Sequence, residues 1–180
     1  YIYKQNNITG KETQPIKSSV SDIFIIDNEN KVVQAEINEN IKKIIKSSDL
    51  ICYSIGSFYT SLLANLIING VSEAIKETKC NKVFILNTFT DVEQFGMTFE
   101  NIIDKLLCYL NKSNDEISNY LNYVIIDSSH SYPFALNIDY LKNLNIKIID
   151  TKLISQQSYP KIDSELLLKV LTNRYLYQNK

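Results

Sequence analysis

The residues best placed for chemistry run from Asp49 to Ser61, Asp-Leu-Ile-Cys-Tyr-Ser-Ile-Gly-Ser-Phe-Tyr-Thr-Ser. An apolar strand enters a Gly56-Ser57 turn, and a hydroxyl-rich helix start follows. This order of elements makes an anion site from backbone. The strand brings the chain to a sheet edge, and the glycine allows close approach. The first helical N–H groups then point outward without intrahelical partners. Such a helix end carries about half a positive charge. Ser57, Thr60 and Ser61 add donors beside it. A phosphate or pyrophosphate suits the place. The plainer alternative is an ordinary strand-to-helix turn, which glycine commonly helps to form.

A second polar segment is Asn87-Thr88-Phe89-Thr90-Asp91-Val92-Glu93. Asp91 and Glu93 could hold Mg²⁺ through oxygen, next to a phosphate at Gly56-Ser57. A solvated loop with a capping role explains the same letters. His130, the only histidine, lies in Asp127-Ser128-Ser129-His130-Ser131. A Ser/His/Asp set exists there in letters. Adjacent residues rarely face one another productively, however, and no Gly-x-Ser-x-Gly elbow is present. His130 reads as a surface loop residue. The twelve tyrosines are scattered and form no stacking platform for single-stranded nucleic acid.

Composition bounds the rest. The chain has 180 residues, 44% of them hydrophobic and 22% charged, with a net charge of -1. One α/β domain over residues 1–180 with a sizeable core is expected. The absence of a basic surplus argues against nucleic acid and anionic membrane surfaces. No apolar run is long enough to span a bilayer. Cys52, Cys80 and Cys108 match no zinc spacing. They read as buried reduced thiols, which fits a cytoplasmic setting.

Periodicity supplies the elements. Ile23 to Ile26 and Val32-Val33 read as a hairpin. Asn38 to Ser47 has Ile41, Ile44 and Ile45 at helical spacing. Leu50 to Tyr53, Val83 to Leu86, Tyr123 to Ile126 and Ile146 to Ile149 are short apolar strands. Helices are expected over Thr60 to Ile68, Val71 to Thr78, Thr98 to Leu110, Asp115 to Tyr120 and from Asp163 onward. Alternating strands and helices predict a mainly parallel sheet covered on both faces. Ligands of such sheets sit beyond the carboxyl ends of the strands, where the loops after Tyr53, Leu86 and Ile126 would meet.

Asp49-Leu50-Ile51, Gly56-Ser57-Phe58-Tyr59-Thr60-Ser61, Asn65-Leu66, Gly70-Val71 and Glu73-Ala74-Ile75 together resemble the 2-phospho-L-lactate transferase (CofD) and YvcK-like family. Asn87, Glu93 and Gly96 resemble that family's N-x-x-T-Q-x-G-E-T-x-G loop, and Asp163 to Leu171 its closing helix. The resemblance implies a three-layer Rossmann-like fold. It implies a small nucleotide or nucleotide-sugar ligand, with Mg²⁺ as cofactor in the transferase branch. Carried over by the resemblance, Gly56, Ser57 and Thr60 would be phosphate-side groups and Asn87 and Glu93 would line the same cleft, while the family's metal-binding aspartates are expected mainly upstream. The residues themselves add Tyr59 and Thr90 to the expected phosphate and nucleotide site and Asp91 as a metal ligand. The family's proline before the glycine is Ile55 here, its G-E-T is Val92-Glu93-Gln94, and its D-H pair is Asn101-Ile102. Its glycine-rich N-terminal strand-loop has no counterpart before Gly56. The expected sheet therefore lacks the family's N-terminal strands, which leaves an open edge and room for a missing segment or for self-association. The transferase branch moves a phosphoryl-linked group, whereas the YvcK branch binds UDP-sugars as a regulator; a structural homologue whose site has decayed is the third reading, in keeping with the missing glycine-rich loop.

Overall fold

In the computed structural model, residues 19–89, 91–111 and 113–177 are described. The chain opens with an antiparallel hairpin, β1 (Ile25–Ile26) paired with β2 (Val32–Val33). Helix α1 (Glu39–Ser47) follows, N-capped by Asn38, whose side chain accepts from the Asn40 N–H. Next come β3 (Leu50–Tyr53), a π-wound turn at Phe58–Leu63 continuing into α2 (Ala64–Leu66), α3 (Val71–Lys76) and β4 (Asn81–Ile85). The second half holds α4 (Phe99–Leu110), β5 (Tyr123–Ile126), α5 (Ile138–Asn143), β6 (Lys147–Asp150) and α6 (Ser164–Leu171).

Strands β3 to β6 form one parallel sheet in the order β3-β4-β5-β6. Every neighbour is therefore reached by a helical crossover, and both faces must be covered. Alternation along each strand sends successive residues to opposite faces. Phe84, Leu86, Val124 and Ile126 pack with Phe99, Ile102, Ile103 and Leu106 of α4. Val83, Ile85, Tyr123 and Ile125 pack with Leu153 and Leu176, and against Leu167, Val170 and Leu171 of α6. The result is the expected three-layer α/β arrangement.

The sequence expectation for α4 holds in detail. Thr98 accepts from the Asn101 N–H, and the Asn101 side chain accepts from the Thr98 N–H, a reciprocal cap that satisfies two otherwise unpaired donors. Three expectations are corrected. Helix α5 was not foreseen, because six residues with inward positions at Ile138 and Leu141 give too short a period to recognise. The apolar stripe of α1 is not core: Ile41 and Ile44 are exposed, and only Ile45 packs inward, because α1 leans mainly on α3. Of the cysteines only Cys80 is buried. Cys52 lies on edge strand β3, and Cys108 sits off the buried stripe of α4, so both are exposed.

Strand β3 is one border of the sheet, and among the described residues no strand pairs with its outer side. A cavity of about 280 Å³, bordered by Ile45, Ile51, Ile55, Leu62 and Leu66, runs beside it. Among the described residues no helix is long and apolar enough to cross a membrane.

Gly70 ends the π/α2 segment with φ +86, and a Cβ there would lie 2.5 Å from Ile37 Cγ2. Backbone conformation and space both require glycine. Gly70→Ala is expected to lower stability by about 1–3 kcal/mol, read as a shift in the urea midpoint.

Candidate functional site

Loops from three strand ends converge at the carboxyl edge of the sheet, as the topology requires. After β3 comes the exposed turn Ser54-Ile55-Gly56, with Gly56 at φ +152, and then half-buried Ser57. A Cβ on Gly56 would lie 3.2 Å from Ser61 Cβ. The Ser57 side chain makes no cap bond to the helix it precedes.

The helix donors beyond this turn are not open, contrary to the sequence reading. The Phe58 N–H donates to Asp91 Oδ2 at 2.6 Å. The Tyr59 and Thr60 N–H groups donate to Glu93 Oε2 at 2.8 and 2.9 Å. The Thr60 hydroxyl donates to Glu93 Oε1 at 2.6 Å. Asp91 Oδ1 also accepts from the Glu93 N–H at 3.0 Å and so caps its own short 3₁₀ turn, Val92–Gln94. The physical reason is burial. Phe58 and Tyr59 are core residues, so their N–H groups need acceptors, and the positive helix end attracts carboxylates. The β4 loop supplies both. An acidic pair two residues apart, with no base nearby in sequence, was the available signal, and the capping alternative for this loop is the one realised.

Burial pushes the Asp91 carboxyl above its ordinary value, with the Glu93 charge adding to the rise and the Glu93 and Phe58 N–H groups opposing it. Both oxygens of Asp91 are spent on backbone donors. Among the described residues no three His, Cys, Asp or Glu side chains cluster as a metal site. Asp91, the residue expected to hold Mg²⁺, thus braces the backbone of the turn and of its own loop.

The other expected residues fall into place differently. Tyr59 is 1% exposed, and its hydroxyl donates to the Val20 carbonyl at 2.9 Å, which makes it a core anchor. Asn87 folds its Oδ1 back onto the Phe89 N–H at 3.1 Å. Thr90 lies outside the described residues. Gly56 and Ser57 remain as the accessible part of the proposed anion turn.

The loops after β4, β5 and β6 are joined as well. His130 Nε2 lies 2.8 Å from the Thr88 carbonyl, so this nitrogen carries the proton. The Thr88 hydroxyl donates to the Pro160 carbonyl at 3.3 Å. Asp127, only 2% exposed, is the keystone of this half. Its Oδ2 accepts from the Leu153 and Ile154 N–H groups at 2.8 and 3.3 Å, and its Oδ1 accepts from the Ser129 hydroxyl and N–H. Burial pushes its carboxyl up, but these four donors together outweigh that and hold it below the ordinary value. The sequence signal was an aspartate closing an apolar strand. The buried network behind that aspartate could not be read from it.

The comparisons with known proteins agree with this architecture. A family model described as 2-phospho-L-lactate transferase CofD matches residues 1–166. A provisionally named gluconeogenesis factor of Thermoanaerobacterium thermosulfurigenes is 27% identical over 86% of this chain and 49% of its own length. An uncharacterized protein of Saccharomyces cerevisiae is 28% identical over 89% of this chain and 38% of its own. The crystal structure of a UPF0052 family member from Bacillus halodurans has the same fold over 75% of this chain and 46% of its own, with a TM-score of 0.64 and 19% identity. The chain thus spans about half the length, or less, of the curated relatives it matches. With a match over nearly the whole chain and this parallel sheet beneath it, the chain belongs to the CofD family.

Proposed function

We propose that this chain supplies one side of a cleft for a nucleoside diphosphate-linked small molecule, whose diphosphate lies on the Gly56-Ser57 turn. The observation that supports this is the turn itself. It is exposed at the carboxyl end of β3, has a backbone that only glycine adopts readily, and is braced from below by Asp91 and Glu93. With the helix N–H groups engaged, the anion's partners are the main chain of Gly56-Ser57 and the Ser57 and Ser61 hydroxyls. A Mg²⁺ ion arriving with the diphosphate would find the carboxylates of Asp91 and Glu93 already in use.

Transfer of a phosphoryl-linked group is the first reading, in line with the description of the matching family model. A nucleotide-sugar-binding regulator is the second, favoured by relatives named as gluconeogenesis factors. Product formation from a diphosphate donor separates them.

Calorimetry of the full chain with GDP, UDP and a UDP-sugar tests the site itself. Gly56→Ala and Gly56→Asp carry the same backbone strain, but only the second places a carboxylate where the phosphate would lie. Gly56→Asp is expected to weaken binding at least about tenfold beyond Gly56→Ala, one unit-charge repulsion at close range. Equal affinities of the two variants would remove the turn from the site.

A further inference from the structure

We infer that the cavity beyond β5 and β6 is a docking site for a flat, uncharged heteroaromatic group, the base of the nucleotide whose diphosphate the Gly56-Ser57 turn receives. This rests on the reading given above. The cavity measures about 440 Å³, within the usual range for small-molecule sites, and opens at the carboxyl edge of the sheet. Asp127, Ser129, His130, Ile154, Gln156 and Tyr159 line it.

The lining selects the class of ligand. Tyr159 is 71% exposed, far more than a tyrosine needs for packing, and its ring meets that of His130 edge-on with centroids 6.5 Å apart. His130 is itself held edge-on to Tyr132 at 5.6 Å, and its Nε2 is anchored to the Thr88 carbonyl. A fixed imidazole beside a presented phenol ring offers faces and edges for stacking. The Gln156 amide supplies both donor and acceptor for the rim of a base. Among the described lining residues Asp127 is the only carboxylate, and its four hydrogen bonds leave it structural. No Lys or Arg stands among the described lining residues to receive a phosphate, which leaves a neutral ring as the suitable guest.

The separation fits one molecule across both places. Strands β5 and β6 are two and three positions from β3, so their ends lie about 10–14 Å apart across the sheet edge. That is the reach of an extended nucleoside diphosphate. Thr88 stands between the two places, tied to His130 and to Pro160, so the intervening loop is held in register with the cavity.

Saturation-transfer NMR on the full chain tests this with free guanosine and uridine, which carry no phosphate, alongside inorganic pyrophosphate. One nucleoside is expected to bind. Tyr159→Ala is expected to weaken it about tenfold, the loss typical of one base–aromatic stack, and Tyr159→Phe to retain it. Pyrophosphate binding should be unchanged in both variants. Because Tyr159 is exposed, neither variant should alter the thermal midpoint. Absence of nucleoside binding to the unmodified chain, or binding indifferent to Tyr159→Ala, overturns the inference. Nucleoside binding lost in Tyr159→Ala while GDP and UDP ignore Gly56→Asp would keep the base cavity and remove the diphosphate turn. Nucleotides sensitive to Gly56→Asp but not to Tyr159→Ala would do the reverse.

Discussion

Glu93→Ala is expected to cost about 2–4 kcal/mol of folding stability and to lower the thermal midpoint by about 5–15 °C. Three donors lose their acceptor at once: the N–H groups of Tyr59 and Thr60 and the Thr60 hydroxyl. Tyr59 is buried and Thr60 half-buried, so water replaces the carboxylate poorly. The helix end also loses the anion that balances it. Glu93→Gln keeps one oxygen for the two N–H groups, and the Thr60 hydroxyl can turn to accept from the new amide, so its loss should be well under half as large. Thermal unfolding followed by circular dichroism reads both. Similar small losses for the two variants would mean that the β4 loop does not brace the turn.

The second large effect is expected at Asp127. Asp127→Asn retains shape but has one acceptor oxygen for four donors, and its amide NH₂ must face N–H groups or the Ser129 hydroxyl. A loss of about 2–4 kcal/mol at neutral pH follows. The effect should depend on pH. The native carboxyl is held below its unfolded value of 3.8, so the folded state binds the proton less tightly than the unfolded state does. Its stabilisation is therefore complete above that value and is lost as the pH falls through the lowered one. Denaturant midpoints measured from neutral to acid pH should converge for the two proteins at the acid end. A constant gap would assign the effect to packing.

These two carboxylates show why the candidate site was only partly legible. Glu93 was visible as an acid in the loop after β4 and Asp127 as one directly after β5, on the sheet edge where α/β proteins bind ligands. Their letters do not tell whether the oxygens face solvent or a neighbouring backbone. Glu93 bonds across 33 and 34 residues of sequence, and Asp127 across 26 and 27. Partners at such separations are chosen by the crossover topology, and local pattern carries no trace of them. Tyr59 is a similar case. A tyrosine at a glycine-serine turn suits a ligand, but one π-wound turn swings its ring into the core.

What the sequence determined by itself was local and periodic. Short apolar strands between amphipathic helices required a parallel sheet covered on both faces, since such strands cannot leave either face in water. Thr98 and Asp163 marked helix starts, because a side-chain oxygen there meets N–H groups two or three residues on. Gly56 and Gly70 marked places where the backbone leaves the region open to other residues. Tertiary structure alone decided which donors were already taken, that Ile41 and Ile44 face outward, and that His130, Tyr159 and Gln156 border one cavity. Those outcomes depend on which surfaces meet after the strands are ordered, and burial then obliges each polar group to find its partner among whatever residues the fold has brought within reach.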